Sequence, residues 1–149
     1  MNKYIKLKQK HQEEFDKFPV AFAFSDEQFK EGLLKLGLTE NDKDKVIDIG
    51  FGGFIKKSDK DIYINMTKKH REEIKKSIIE DKTGESFIKD MFEAELSNHE
   101  YGYTEDLTDT LAAIGMTMKE INANENLRNG LNLALNRYSC KEEVEELWK

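Results

Sequence analysis

Cysteine is almost missing from this chain. Cys140 stands alone, so no internal disulfide can close and no four-cysteine zinc site can assemble. Proline is equally scarce: Pro19 is the only one in 149 residues, which leaves long stretches free to propagate helix. No run of about eighteen apolar residues occurs, which excludes a membrane-spanning helix. The segment from Met1 to Lys8 is basic but has no apolar signal core, and with the lone cysteine it gives the expectation of a cytoplasmic protein. Basic excess is missing too. The net charge is −6 with Lys and Glu interspersed, so attraction of the whole molecule to nucleic-acid phosphates or anionic lipid is not favoured.

The motifs of cofactor and metal chemistry are also lacking. His11, His70 and His99 are scattered, and no HxxxH or HExxH pair puts two of them on one helical turn, so no metal is expected. Gly50, Gly52 and Gly53 fail the dinucleotide fingerprint, whose third glycine would fall at Ile55. There is no Gly-Lys-Ser/Thr of the P-loop kind either, so no cofactor is expected. Cys140 has no recognisable histidine partner in sequence and reads as a semi-buried structural thiol.

What is present is a mixture of 38% hydrophobic and 36% charged residues, with nine Phe. That is too apolar for a disordered chain, and the length suits one domain over 1–149 with a continuous core. Tyr4, Leu7, His11, Phe15 and Phe18 recur at helical spacing over about 2–17, and Phe18-Pro19 ends that helix. Val20-Ala21-Phe22-Ala23-Phe24 reads as a short strand with Val20, Phe22 and Phe24 on one face. Ser25 with Gln28 makes a capping box for a helix carrying Phe29, Leu33, Leu34 and Leu36 up to Gly37. Two β-like runs, near 46–50 and 53–57 around a glycine turn, suggest a hairpin.

Ser58 is the expected cap of a long helix to about Asp81, lined by Tyr63, Met66, His70, Ile74 and Ile78. Thr83-Gly84 breaks the chain before Ser86–Leu96, whose Phe87, Ile88, Met91, Phe92 and Leu96 form the buried stripe. Thr104 reads as the cap of a helix to Ile114, stopped by Gly115, and Thr117 with Glu120 opens a further segment. Leu127, Leu131, Ala134, Leu135 and Tyr138 mark another helix before the acidic tail ending Glu146-Leu147-Trp148. The expected fold class is α+β and predominantly helical, with five to seven helices and a small hairpin or short sheet.

Candidate chemistry concentrates at Asn98-His99-Glu100-Tyr101-Gly102-Tyr103, which brings an amide, an imidazole, a carboxylate and two phenols around a glycine. His99 could serve as a base with Glu100 or Asn98 fixing its tautomer. The plainer reading is a polar corner between two helices. Phe51 with Gly52, at the hairpin tip, is the expected exception to a set of core phenylalanines (Phe22, Phe24, Phe54) and a candidate anchor for a partner. Trp148 is a further candidate contact. Lys68, Lys69, Arg71, Lys75 and Lys76 form a basic helix face interrupted by Glu72 and Glu73, which reads first as a solvated surface.

Taken together, Phe18–Phe29, Ile49–Ile55 and Asn98–Tyr101 resemble a family of small uncharacterised proteins of phages and mobile elements in Firmicutes-type bacteria. The resemblance spans about His11 to Tyr138. It implies an accessory protein acting in a host cell, of the kind that inhibits host enzymes or defence systems, CRISPR included. The leading expectation is therefore a non-enzymatic protein that binds a host protein or ribonucleoprotein. The alternatives are a small-ligand binder or enzyme centred on Asn98–Tyr103, and a nucleic-acid binder using the Lys68–Lys76 face.

Overall fold

A computed structural model describes residues 1–138; Cys140 and the tail with Trp148 lie outside the described residues. In chain order the elements are α1 (Lys3–Asp16), β1 (Ala21–Phe22), α2 (Asp26–Lys35), a 3-10 turn (Glu40–Lys45), β2 (Val46–Gly50), β3 (Gly53–Lys56), a second 3-10 turn (Lys57–Asp59) and α3 (Lys60–Glu80). Five further helices follow: α4 (Phe87–Asn98), α5 (Tyr101–Thr104), α6 (Thr108–Ile114), α7 (Met118–Asn122) and α8 (Glu125–Leu135). The chain is mostly helical with a small antiparallel sheet, as expected. Eight α-helices among the described residues exceed the expected five to seven. The surplus is α5, a helix of four residues, too short for a hydrophobic period to show.

The chain divides into two compact units: Lys10–Glu72, and Met1–Gln9 with the chain from Glu73 onward. The second of these is helical. Phe87, Ile88, Met91, Phe92, Ala94 and Leu96 of α4 are buried with Leu127, Leu131, Ala134 and Leu135 of α8, and Tyr4, Tyr101, Leu107 and Ile121 complete the cluster. Helices α4 and α8 meet where two glycines allow it. A Cβ on Gly84 would collide with the Asn126 carbonyl oxygen, and one on Gly130 with the Ile88 side chain. Gly84 also has φ +84°, so no other residue suits that position.

Entry into α4 is held by a carboxylate from upstream. Ser86 makes no side-chain cap, and the buried Asp81 does that job instead. Its Oδ1 accepts the N–H of Gly84 (2.9 Å), and its Oδ2 those of Ser86 (3.1 Å) and Ile88 (3.0 Å). Burial pushes the Asp81 carboxyl up, but backbone donation from Ile88, Gly84, Ser86 and Thr83 outweighs it and holds the group below the usual carboxylate range.

The other unit holds the sheet, in the order β1-β3-β2, both pairs antiparallel. Ala21 and Phe54 pair across β1 and β3 and are buried with Leu33 and Leu36 of α2; Phe29 packs on Phe54 at 5.0 Å between ring centroids. Ser25 caps α2 by accepting Gln28 N–H, while the Gln28 side chain accepts Phe24 N–H rather than the cap's own. Leu34 is 64% exposed, because Phe29, Leu33 and Leu36 already span the covered side. Ser58 lies inside the 3-10 turn before α3 and is not its cap.

Candidate functional site

The polar stretch 98–103 folds as a corner. Asn98 ends α4, His99 follows it, and Glu100 takes the left-handed conformation (φ 54°) that redirects the chain into α5. Tyr101 is buried against Tyr138, with ring centroids 5.4 Å apart, whereas Tyr103 is 93% exposed. The two phenols are thus parted rather than joined around a ligand. Glu105 is left-handed as well, which separates α5 from α6 and overturns the expected helix opened by Thr104. Asp106 opens α6 instead, accepting the N–H (2.9 Å) and hydroxyl (2.6 Å) of Thr108, and the Thr108 hydroxyl is the leading cause of its lowered pKa.

His99 does not pair with Glu100 or Asn98 in this fold. Its Nε2 lies 3.3 Å from Oε2 of Glu95, one helical turn earlier. Glu95 is buried, and its Oε1 accepts the Tyr4 hydroxyl at 2.7 Å. Burial first, then the Glu95 hydrogen bond and charge, push the Tyr4 phenol well above its ordinary value, so it acts as a fixed donor. The i,i+4 spacing of Glu95 and His99 was visible in the sequence; the arrival of Tyr4 from ninety-one residues away was not. The network ties α1 and α4 at the corner.

His11 and His70 sit on their helices' covered sides as expected, and they also stack on each other at 4.0 Å and 14°. His70 Nε2 meets Glu14 Oε2 at 2.7 Å, a bond that leads the lowering of the Glu14 pKa. No group of three or more metal-ligating side chains occurs among the described residues. Lys68, Lys69, Arg71, Lys75 and Lys76 are all exposed, and Lys68 pairs with Glu72 (4.0 Å) and Lys76 with Glu80 (3.8 Å).

The hairpin carries the unexpected feature. Gly50 pairs with Gly53, leaving Phe51-Gly52 as a two-residue turn. Both turn residues have positive φ, 54° and 79°. Such turns match the twist of the strands and favour Asn or Gly at their first position. Here the position holds a phenylalanine, 98% exposed. Its left-handed backbone costs about 1–2 kcal/mol.

Two more rings join it. Phe22 (49% exposed) and Phe24 (78% exposed) were expected in the core with Phe54; only Phe54 is buried. The alternation in β1 runs the other way, with Ala21 inward, because α2 packs closely over Ala21 and Phe54 through Gly32. The Phe22 ring covers Gly53, its cross-strand partner, and the Phe24 ring covers Gly52. A Cβ on Gly53 would come 3.0 Å from Phe22, and one on Gly52 2.6 Å from Phe24. Both glycines thereby lie beneath exposed aromatic rings, and Gly52 follows the exposed Phe51 in the turn. A groove of about 440 Å³ is lined by Phe22, Phe24, Gln28, Glu31 and Lys35 among others.

A mostly helical α+β chain with one small antiparallel sheet and an uncovered aromatic hairpin is the class of protein that fold and site define. The chain belongs to the family of unknown function DUF7659, which matches residues 3–137. No curated protein and no solved structure matches it. Among the described residues, no helix is long and apolar enough to cross a membrane.

Proposed function

We propose that this chain is a non-enzymatic binding protein whose contact surface is the aromatic patch of Phe22, Phe24 and Phe51. The observation that carries the reading is Phe51: a fully exposed apolar ring held in a backbone conformation that Asn or Gly would adopt at less cost. Local strain combined with solvent-exposed apolar area is retained where the residue has a partner. Aromatic anchors of this kind dominate protein interfaces. The resemblance in Phe18–Phe29, Ile49–Ile55 and Asn98–Tyr101 supports a phage-type accessory role, in which the partner is a host protein or ribonucleoprotein and binding inhibits it. Host defence machinery, CRISPR effectors included, is the target class.

Phe51→Asn tests this directly, because stability and function should move in opposite directions. Asn-Gly is a preferred pair for this turn, so the variant is expected to fold at least as well as the natural chain. Its recovery of a stoichiometric partner from host lysate at physiological salt should fall at least tenfold. Equal recovery by the variant would remove the patch as the site. No partner for the natural chain, across several hosts, would remove the binding reading itself.

A second reading, a ligand site or enzyme at the corner, draws on Glu95 and His99. An imidazole backed by a buried carboxylate is how general bases are commonly held. It is the weaker reading, because Tyr101 and Tyr103 do not converge with His99 on a cleft.

A further inference from the structure

The structure points to the outer edge of β1 as a strand-addition site. We propose that the partner engages it with an uncharged, extended peptide segment that pairs with the backbone of Phe22 and seats apolar side chains between the exposed rings and α2. This rests on the binding role above and specifies the chemistry of the partner.

The edge is defined by hydrogen bonding. Ala23 N–H donates to Gly52 O at 2.9 Å, so Ala21 and Ala23 face β3 through their backbones. Phe22, opposite Gly53, occupies the alternate position, where N–H and C=O point away from the partner strand. Since β1 is an outer strand of the sheet, those two groups face away from the sheet, at the strand whose Phe22 also lines the groove. The next outward N–H, that of Phe24, is already taken by Gln28 Oε1 at 2.8 Å. Among the described residues, that leaves one rung without a partner strand, at Phe22. Natural sheets guard such edges with lysine, proline or a bulge, or by keeping the strand short, and the two-residue β1 has only its shortness.

The remaining features select the occupant. A backbone donor and acceptor side by side match another extended backbone, as in other cases of β-augmentation. Side chains on one face of such a strand recur every two residues, about 6.6–6.8 Å apart, a spacing that lets one fall beside Phe22 and the next beside Phe24. On α2, Glu31 and Lys35 border the groove with opposite charge and one turn apart, so the walls carry no net charge to attract phosphate or an acidic motif. At about 440 Å³ the groove has the size of a small-ligand cleft. It accepts a few residues of one extended chain, not the helix and hairpin that a second copy would bring.

The test uses the full chain and a displayed library of random twelve-residue linear peptides. The best binder is then synthesised with ordinary amides and with alternate amides N-methylated, in both registers. Binding should slow hydrogen exchange at the Phe22 amide at least tenfold. N-methylation in one register, but not the other, should weaken affinity at least tenfold. Phe22→Ala, which keeps the rung and loses the ring, should weaken binding without removing that register dependence. A library without binders, unchanged Phe22 exchange in the complex, or equal binding in both registers would overturn the proposal. So would Phe22 protection that rises with protein concentration and no peptide, which would make the occupant a second copy. A lysate partner lost with Phe51→Asn, yet not displaced by saturating peptide, would retain the binding role and eliminate strand addition.

Discussion

The α4–α8 core and the hairpin both depend on glycine, and they use it to opposite ends. At Gly84 and Gly130 the missing side chains let two helices close on each other, and every nearby irregularity is compensated. The left-handed turn at Gly84 is held by Asp81, and the amides that open α4 find that same carboxylate. At Gly52 and Gly53 the missing side chains make room for rings that stay in contact with water. The first region resolves its strain within the fold. The second leaves apolar surface and a strained backbone uncompensated, which is what a contact surface requires and a core does not.

The sharpest way to break this comparison is Gly84→Ala. It adds a methyl against the Asn126 carbonyl and forces a positive φ on alanine, so the loss should be about 3 kcal/mol or more. Thermal melting should show a midpoint lower by roughly 10 °C, given the size of the chain. A midpoint within a few degrees of the natural chain would mean the helices are not locked together as described.

Next in size is Asp81→Ala, which strands buried or half-buried amides. A loss of about 2–4 kcal/mol is expected in urea unfolding, with Asp81→Asn in between. The same carboxylate gives the core a pH dependence. Its folded pKa lies below its unfolded one, so the unfolded chain holds the proton more tightly. The stabilisation is complete above about pH 4 and is lost as pH falls through the folded value. Unfolding titrations of the natural chain should therefore steepen below about pH 4, and those of Asp81→Ala should be flatter there.

The hairpin should respond in the other direction. Phe51→Asn is expected to raise stability by up to about 1 kcal/mol while lowering partner recovery. A destabilised variant would mean that the ring is packed rather than presented. Smallest of all is the basic face. Replacing Lys68, Lys75 and Lys76 with Gln should change stability by no more than about 0.5 kcal/mol, since exposed pairs such as Lys68–Glu72 contribute little. A salt-dependent loss of binding on those changes would instead revive the nucleic-acid reading.

Much of the helical frame was legible in sequence. The stripes Tyr4-Leu7-His11 and Phe87-Ile88-Met91-Phe92-Leu96, the Ser25 and Thr117 caps, and the stop at Gly115 all follow from spacing and from donors within one turn. The hairpin was legible as well, because two β-rich runs flank glycines at a fixed interval. The corner at 98–103 was recognisable as a corner, but its partner residues were not. Adjacent side chains such as His99 and Glu100 look paired in a sequence, whereas a helix pairs residues one turn apart, and His99 meets Glu95.

What the sequence determined by itself is local: helical periods, caps, turns that need positive φ, and the lack of cysteine and of catalytic or cofactor motifs. Tertiary structure alone decided which apolar residues are covered. Phe22, Phe24 and Phe54 look alike in sequence, yet only Phe54 is covered, since α2 approaches the sheet over Gly32 on that side. It alone brought Tyr4 to Glu95. Burial depends on what the rest of the chain places overhead, and hydrogen bonds across long separations depend on where the chain returns. Neither has a signature in local spacing, because both are set by packing.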